Sequence, residues 1–373
     1  MSEFIVSARK YRPTTFESVV GQSNITTTLK NAIINKHLAQ VYLFCGPRGV
    51  GKTTCSRIFA KTINCLNPTS DMEPCNECES CKAFNEDRSY NIHELDAASN
   101  NSVDDIRNLI DQVRIPPQIG SYSVYIIDEV HMLSQAAFNA FLKTLEEPPT
   151  YAKFILATTE KHKVPATILS RCQVFNFNRI SIEDAVKQLT HVAEKEGIKV
   201  ESDALTVIAQ KADGAMRDAL SIFDQVVSFS GGEVTYEKTV ANLNVLDYDY
   251  FFKLVDAFLT EDVSTSLTIY NDIVEKGFDG QQFISGLSSH FRDLLVSSNE
   301  KTVQLLDVGD SIKVRYLEQA KKCESWFIFD ALKTLNEAEA GYRTSQNKRL
   351  AVEYTLIRLC NLIAEKKNEI END

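Results

Sequence analysis

Five short runs of apolar, largely β-branched or aromatic residues recur in the first half of the chain: Val41–Cys45, Ile92–Leu95, Val124–Ile127, Phe154–Ala157 and Val174–Phe177. Runs this short and this continuously apolar read as strands buried on both faces. Between them, apolar residues return at helical spacing over Thr54–Ile63, Val103–Val113 and Gln135–Leu145. Strand alternating with helix predicts an α/β fold with a parallel sheet covered on both sides. From Ile182 to about Leu243 the pattern changes to short helical segments punctuated at Gly197, Gly214 and Gly231-Gly232, which predicts a small helical domain. Beyond Asp247 glycine and proline become rare, and Phe329–Leu335 and Leu350–Ile363 place apolar residues at i, i+3, i+4 and i+7. A second, separate helical domain is expected there, ending in a solvated tail over Lys366–Asp373. No internal repeat is visible.

The chain has 373 residues, 43% apolar and 24% charged, enough for two or three domains with cores of their own. No run of about 18 apolar residues predicts a membrane span. Met1-Ser2-Glu3-Phe4 is not a basic stretch leading into an apolar one, so no secretion signal is expected and the cytoplasm is the expected location. The net charge of −11 argues at first against a nucleic-acid partner. It is unevenly spread, however: residues 1–178 carry 18 charges of each sign, and the excess, 22 basic against 33 acidic, lies beyond them. A neutral domain can hold a local basic strip, so net charge does not decide the matter.

Gly46-Pro47-Arg48-Gly49-Val50-Gly51-Lys52-Thr53 fits G-x-x-x-x-G-K-[ST] and lies between a predicted strand and a predicted helix opening near Thr54. Phosphate chemistry needs that context. Glycines let backbone N–H groups close around phosphate oxygens, a helix N-terminus adds positive dipole, and Lys52 neutralises β/γ charge. Thr53 supplies a hydroxyl to Mg²⁺. The run Val124–Ile127 then delivers Asp128 and Glu129 at its C-terminal end, where ligands bind in open α/β sheets. Asp128 suits the Mg²⁺ shell and Glu129 the attacking water. ATP and Mg²⁺ are therefore the expected ligands.

Thr158 ends the next run and is placed to sense the same γ-phosphate, although a threonine after a strand is also ordinary turn chemistry. Arg171, in Ser170-Arg171-Cys172, and Arg217, in Gly214-Ala215-Met216-Arg217-Asp218, offer forked cations suited to transition-state oxygens. Read alone, each is more readily an exposed ion pair than a group acting on phosphate. The loop Asp96–Asn101 leads into Val103–Val113 and could present a helix N-terminus to a DNA phosphate, but a plain N-cap explains Ser102 and Asp104 as well.

Nine cysteines and no signal argue against a disulfide framework. Cys65, Cys75, Cys78 and Cys81 fall close together, with two interlocked C-x2-C units in a Pro/Asn/Glu-rich stretch. Four thiolates suit a closed, tetrahedral and hence structural Zn²⁺ site. Iron–sulfur ligation begins from the same four residues, but no electron-transfer motif accompanies them. Cys45, Cys55, Cys172, Cys323 and Cys360 are scattered, and most read as small buried hydrophobes.

In this order, Gly46–Thr53, Asp128-Glu129-Val130-His131, Thr158, Ser170-Arg171-Cys172 and Gly214–Asp218 resemble the clamp-loader clade of AAA+ ATPases. Ala8-Arg9-Lys10-Tyr11-Arg12-Pro13 and Phe16–Gln22 are similar to that clade's adenine-binding segment. The cysteine insertion and the stretch Phe138–Pro149 narrow the resemblance to the bacterial gamma/tau motor subunits of DNA polymerase III, over nearly the whole chain. The resemblance implies a P-loop AAA+ base over 1–178 with a zinc module at 65–81, a helical lid over 179–243 and an all-helical, oligomerising collar over 244–373. It implies that Ala8, Arg12, Val20 and Val50 line the adenosine pocket and that Gly46–Thr54 holds the phosphates. It makes Thr158 sensor 1 and Arg217 sensor 2, acting within one subunit, and Arg171 an arginine finger acting on a neighbour. The implied function is an ATP-driven motor in a ring-like pentamer that opens a sliding clamp and loads it on primed DNA. Two other readings are a non-hydrolysing partner subunit, against which Lys52, Thr53 and Glu129 argue, and another DNA motor such as a branch-migration pump, against which the cysteine insertion argues. The longer tau form continues into helicase- and polymerase-binding domains. A chain ending at Asp373 corresponds to the short form or to the first three domains of the long one.

Overall fold

A computed structural model describes residues 5–117, 120–299 and 301–372. Met1–Phe4, read above for a secretion signal, lie outside the described residues. Five parallel strands, β1 (Val41–Cys45), β2 (Ile92–Asp96), β3 (Ser123–Asp128), β4 (Ala152–Thr158) and β5 (Gln173–Asn176), pair in the order β2-β3-β4-β1-β5. The strand that precedes the glycine loop thus lies inside the sheet, flanked by β4 and β5. The last strand ends one residue earlier than the apolar run suggested. Phe177 has left the ladder for a loop, yet its ring stays buried against Phe44, and its N–H donates to the Cys45 carbonyl at 2.7 Å.

Strand alternation sorts the core into two layers. Val41, Leu43, Tyr125, Ile127, Phe154 and Leu156 face helices α5 (Val103–Val113) and α6 (Gln135–Glu146). Tyr42, Phe44, Val124, Ile126, Ile155 and Ala157 face the other way, onto Ile25 and Leu29 of α2 (Ser23–Ile34) and Ile58 and Phe59 of α3 (Lys52–Ile63). Phe154 stacks on Tyr125 and meets Phe141 edge-on, with ring centroids 5.4 and 5.3 Å apart. Truncating so enclosed a ring costs about 3–5 kcal/mol. Ser102 caps α5, with Asp105 rather than Asp104 closing a reciprocal capping box. The short helix α1 (Ser7–Lys10) precedes the sheet, α4 (Glu79–Asn85) lies between α3 and β2, and α7 (Ala166–Leu169) precedes β5.

Helices α8 (Ile182–Glu196), α9 (Ser202–Lys211), α10 (Met216–Ser230) and α11 (Tyr236–Leu243) occupy the glycine-punctuated stretch. The short parallel pair Lys199–Val200 and Glu233–Val234 was not foreseen, because two residues carry no periodicity. Helices α12 (Tyr248–Leu259), α13 (Val263–Glu275), α14 (Gly280–Ser297), α15 (Asp310–Ala320), α16 (Ser325–Tyr342) and α17 (Lys348–Asn372) share one apolar core that includes Phe251, Leu287, Phe291, Phe327, Leu335 and Leu356. Through the stretch expected as a solvated tail, α17 continues to Asn372; Asp373 lies outside the described residues. The chain separates into two compact units: residues up to Glu196 with Ala209–Gln225, and Gly197–Ile208 with Val226 onward. No helix among the described residues is long and apolar enough to cross a membrane.

Candidate functional site

The loop between β1 and α3 depends on its glycines. Gly46, at φ 151°, passes so close to Phe177 that a Cβ would meet its carbonyl oxygen at 2.4 Å. Gly49, at φ 75°, leaves room for Ala215, whose Cβ would lie 2.9 Å from an added one. Only glycine satisfies both the dihedrals and the approach. Gly51 is the left-handed N-cap of α3, which begins at Lys52, two residues before the predicted start.

Lys52 is buried, and its Nζ donates to the carbonyl oxygens of Gly46 at 2.8 Å and Pro47 at 2.7 Å. Burial pulls its pKa below the ordinary lysine value, against the opposing pull of Glu129 and Asp128. Thr53 Oγ1 donates to Asp128 Oδ2 at 2.6 Å. The hydroxyl and carboxylate expected to share a cation are therefore adjacent across α3 and β3. Val50 is buried, and Gln22 Nε2 donates to its carbonyl at 3.4 Å and to that of Asn178 at 2.8 Å.

Glu129 stands just past β3 in the left-handed region, at φ 47°. Its Oε2 accepts from the Thr159 N–H at 3.2 Å and the Thr159 hydroxyl at 3.1 Å. Thr158 is fully buried, and its Oγ1 is 3.0 Å from His131 Nδ1 and accepts from the Glu160 N–H at 3.0 Å. His131 also reaches Glu129 at 3.3 Å and Glu160 at 3.2 Å. Sequence reasoning assigned Thr159 and His131 no role; their position beside Thr158 and two residues beyond Glu129 was the available signal.

The structure brings Arg217 to the loop. Its N–H donates to the Gly49 carbonyl at 3.4 Å from the first turn of α10. Arg179 steadies the preceding turn, donating to the Asp213 carbonyl at 3.1 Å and pairing with its carboxylate. Arg12 Nε donates to Thr54 Oγ1 at 3.4 Å. Enclosure by the surrounding chain lowers the Arg12 pKa first, then the like charge of Arg57; Arg217 adds to this, although Arg12 keeps surface open to solvent. Val20 joins Ile180, Ile182 and Met216 in a small apolar cluster. Ala8 lies in α1, whose Ser7 N–H donates to Asp224 of α10 at 2.7 Å. Arg171 is elsewhere. Its guanidinium donates to the Thr167 carbonyl at 2.6 Å and pairs with Glu146 at 2.7 Å, with about a third of the side chain exposed.

The four clustered cysteines converge, with all Sγ atoms within 4.8 Å of one another. Cys65–Cys75 is 3.5 Å, while Cys65–Cys78 and Cys75–Cys81 are each 4.0 Å. A tetrahedron of thiolates about 2.3 Å from zinc has edges of about 3.8 Å. The N–H of Cys75 points at Cys65 Sγ and that of Cys78 at Cys75 Sγ, each at 3.3 Å. The N–H groups of Glu77 and Cys78 pull the Cys75 thiol down to about 6, toward the thiolate a metal needs. The donor set fits zinc. Cys75 is the exception: burial raises Cys65 and Cys81, as it raises the scattered Cys45 and Cys360, pushes Cys55 and Cys172 up to about 12, and Cys323 to about 11.

Three family models match the chain in succession: "DNA polymerase III, delta subunit" over residues 21–181, "DNA polymerase III clamp loader subunit, ATPase lid domain" over 184–232, and "DNA polymerase III subunits gamma and tau domain III" over 234–371. DNA polymerase III subunit tau of Bacillus subtilis is 42% identical over 355 residues, covering 94% of this chain and 62% of that protein. DNA polymerase III subunit gamma of Buchnera aphidicola subsp. Baizongia pistaciae is 32% identical over 370 residues, covering 96% of this chain and 97% of that one. The chain thus spans under two thirds of the Bacillus tau subunit and 55% of that of Escherichia coli. Among solved structures, the Thermotoga maritima RuvB Holliday junction branch migration motor superposes with a TM-score of 0.48 at 18% identity, covering 67% of this chain and 79% of that one. With three successive family models and a gamma subunit matched along nearly its whole length, the chain belongs to the DNA polymerase III gamma/tau family.

Proposed function

We propose that this chain is the ATP-hydrolysing motor of a replicative clamp loader, coupling ATP binding and hydrolysis to opening a sliding clamp and loading it onto primed DNA. One observation carries the reading. Thr53 and Asp128 are hydrogen-bonded at 2.6 Å beneath a glycine loop that turns the buried Lys52 ammonium inward onto two carbonyls. Those carbonyls occupy the lysine as phosphate oxygens would, so a triphosphate in the loop replaces one set of acceptors by a stronger, charged one. Thr53 and Asp128 would hold magnesium, which neutralises charge on the β- and γ-phosphates when bound.

In this reading the water oxygen attacks the γ-phosphorus and the bond to the β,γ-bridging oxygen breaks, releasing ADP and inorganic phosphate. Glu129 orients that water and draws on its proton. Thr158 stands as sensor 1 at the γ-phosphate, and Arg217 reaches the same phosphates from α10. Ala8, Arg12, Val20 and Val50 line the adenosine side, and Gly46–Thr54 holds the phosphates. Arg171 acts on a neighbouring subunit's nucleotide, and its partners within this chain, Glu146 and the Thr167 carbonyl, lie outside the phosphate loop, which supports that role. Zinc held by Cys65, Cys75, Cys78 and Cys81 is structural, because four ligands leave no open position.

The same reading assigns 1–178 as base, 179–243 as lid and 244–373 as an oligomerising collar. Phe329, Leu350 and Tyr354 keep 59%, 57% and 60% of their surface exposed, which supports burial against other subunits in a ring-like pentamer. Cytoplasmic location follows from a replication role. The test is the ATPase rate with and without partner subunits, clamp and primed DNA. Stimulation on adding all three is expected; a rate indifferent to them would leave an ATPase without a clamp-loading role.

A further inference from the structure

The buried carboxylate of Glu73 belongs to no part of the nucleotide or metal chemistry above. It lies in the loop between Cys65 and Cys75, two residues before the second, and is 8% exposed. A carboxylate is rarely so buried unless each oxygen is satisfied. Here Oε2 accepts from the Phe16 N–H at 2.7 Å, and Oε1 accepts from the Glu17 N–H at 3.0 Å and meets Lys30 Nζ of α2 at 2.7 Å. All three donors come from a segment remote in sequence. The loop is in turn closed around Glu73, whose N–H donates to Thr69 Oγ1 at 3.1 Å and whose carbonyl accepts from the Thr69 N–H at 3.0 Å.

The segment gripped by Glu73 runs directly to the back of the phosphate loop. Phe16 and Val19 are buried in the core layer that also holds Val50 and Cys55. Val19 Cγ1 stands 3.7 Å from where a Cβ on Gly51 would lie, and Gln22 bonds the Val50 carbonyl. The cysteine loop is therefore one hydrogen-bonded step from the segment that backs the nucleotide site.

We propose that Glu73 is a positioning residue that transmits the ordering of the cysteine module to the nucleotide site, so that zinc occupancy sets nucleotide affinity. The four thiolates, once joined by metal, fix the loop at Cys65 and Cys75. The fixed loop presents Glu73, and Glu73 holds Phe16–Val20 against Val50 and Gly51. Without metal the loop gains conformations, and the ordering that Glu73 supplied must be met from nucleotide binding energy. The inference rests on the ATP reading above for the identity of the ligand.

The test uses the full chain, a fluorescent ATP analogue and zinc analysis. Glu73→Gln keeps all four thiols, so it is expected to retain about one zinc per chain. It should bind the analogue about tenfold more weakly, within the usual range of coupling between sites. Chelating zinc from the unmodified chain should weaken binding by a similar factor, and chelating it from Glu73→Gln should add less than about twofold. Equal weakening of both proteins by the chelator, or full affinity in Glu73→Gln, would overturn the proposal. Hydrogen exchange at the Phe16 and Glu17 amides reads the link without nucleotide and without the variant: both should lose protection when zinc is removed. Unchanged protection would refute the link. If the zinc-loaded chain bound no ATP analogue at all, the ATP reading would fail while the exchange measurement still judged Glu73.

Discussion

Thr159 holds Glu129 twice, donating to the same carboxylate oxygen from its backbone N–H at 3.2 Å and from its hydroxyl at 3.1 Å. The proposed water-orienting group is thus held by the residue that follows β4, the strand that ends at Thr158. The two residues proposed to act on one γ-phosphate, Glu129 after β3 and Thr158 at the end of β4, are in this way tied together through Thr159. Positioning is most of what phosphoryl transfer asks of a protein.

Thr159→Val removes the hydroxyl and leaves the N–H. A hydrogen bond to a charged group contributes about 1.5–3 kcal/mol, and the surviving N–H limits the loss to the lower end. The kcat for ATP hydrolysis should fall about tenfold with nucleotide Kd unchanged, measured by steady-state kinetics beside equilibrium binding. A shift in Kd with kcat intact would mean that Thr159 serves binding and not the water.

The second prediction concerns metal. Freshly purified protein should carry about one zinc per chain, and Cys78→Ser should lose it, because a three-thiolate remnant binds far less tightly. Elemental analysis and visible absorbance decide this. Iron with absorbance in the visible, or no metal in either protein, would contradict the assignment.

A third prediction comes from a buried histidine in the second unit. His290 lies between Tyr316, with its Nδ1 2.8 Å from the hydroxyl, and Gln319, with its Nε2 3.2 Å from Oε1. Burial is the main cause that depresses its pKa from 6.5 to about 3, and the like charge of Arg315 adds to it. The sign follows from linkage. Below pH 6.5 the unfolded chain takes up a proton that the folded core refuses until about pH 3, so stability falls as pH drops through that window. The contribution approaches about 1.4 kcal/mol per pH unit. His290→Gln keeps a hydrogen-bonding side chain without the charge, and its unfolding should depend less steeply on pH between 6 and 4, on the order of one proton less. Identical slopes for both proteins would show that His290 is neutral to acid unfolding.

The fourth prediction is that Arg171 works across a subunit boundary. Within its own chain it is engaged with Glu146 and the Thr167 carbonyl. Arg171→Ala should therefore bind ATP normally and hydrolyse it slowly, since such a finger contributes roughly 10³–10⁵ in rate. Mixing Arg171→Ala with Lys52→Ala should restore some hydrolysis, because a sound loop then sits beside a sound finger. No recovery, with mixed oligomers verified, would make Arg171 a structural ion pair.

Much of this site was legible in the chain because its chemistry is local. Gly46–Thr53 and Asp128-Glu129 each carry their signal within a few consecutive residues, and each lies where strand and helix periodicity meet. The cysteine cluster was legible for the same reason. What stayed hidden was contact between segments far apart in sequence. Nothing in the order of residues announces that Glu73 accepts from Phe16, or that Arg217 reaches Gly49. Thr159 was passed over because a threonine after a strand is ordinary turn chemistry, and only the left-handed backbone at Glu129 aims its carboxylate there. The helix that runs through the expected tail was not read because Lys and Glu are as compatible with a helix face as with coil.

The most direct measurement of the central claim compares Lys52→Ala with Glu129→Gln in ATP binding and in ATP hydrolysis. Lys52→Ala leaves phosphate charge without its buried counterion and should weaken binding at least about thirtyfold, from about 2 kcal/mol or more for such a truncation. Glu129→Gln keeps every group that touches phosphate, so it should bind ATP as the unmodified chain does while hydrolysing it at least about a hundredfold more slowly. Normal hydrolysis in Glu129→Gln, or undiminished binding in Lys52→Ala, would contradict the account.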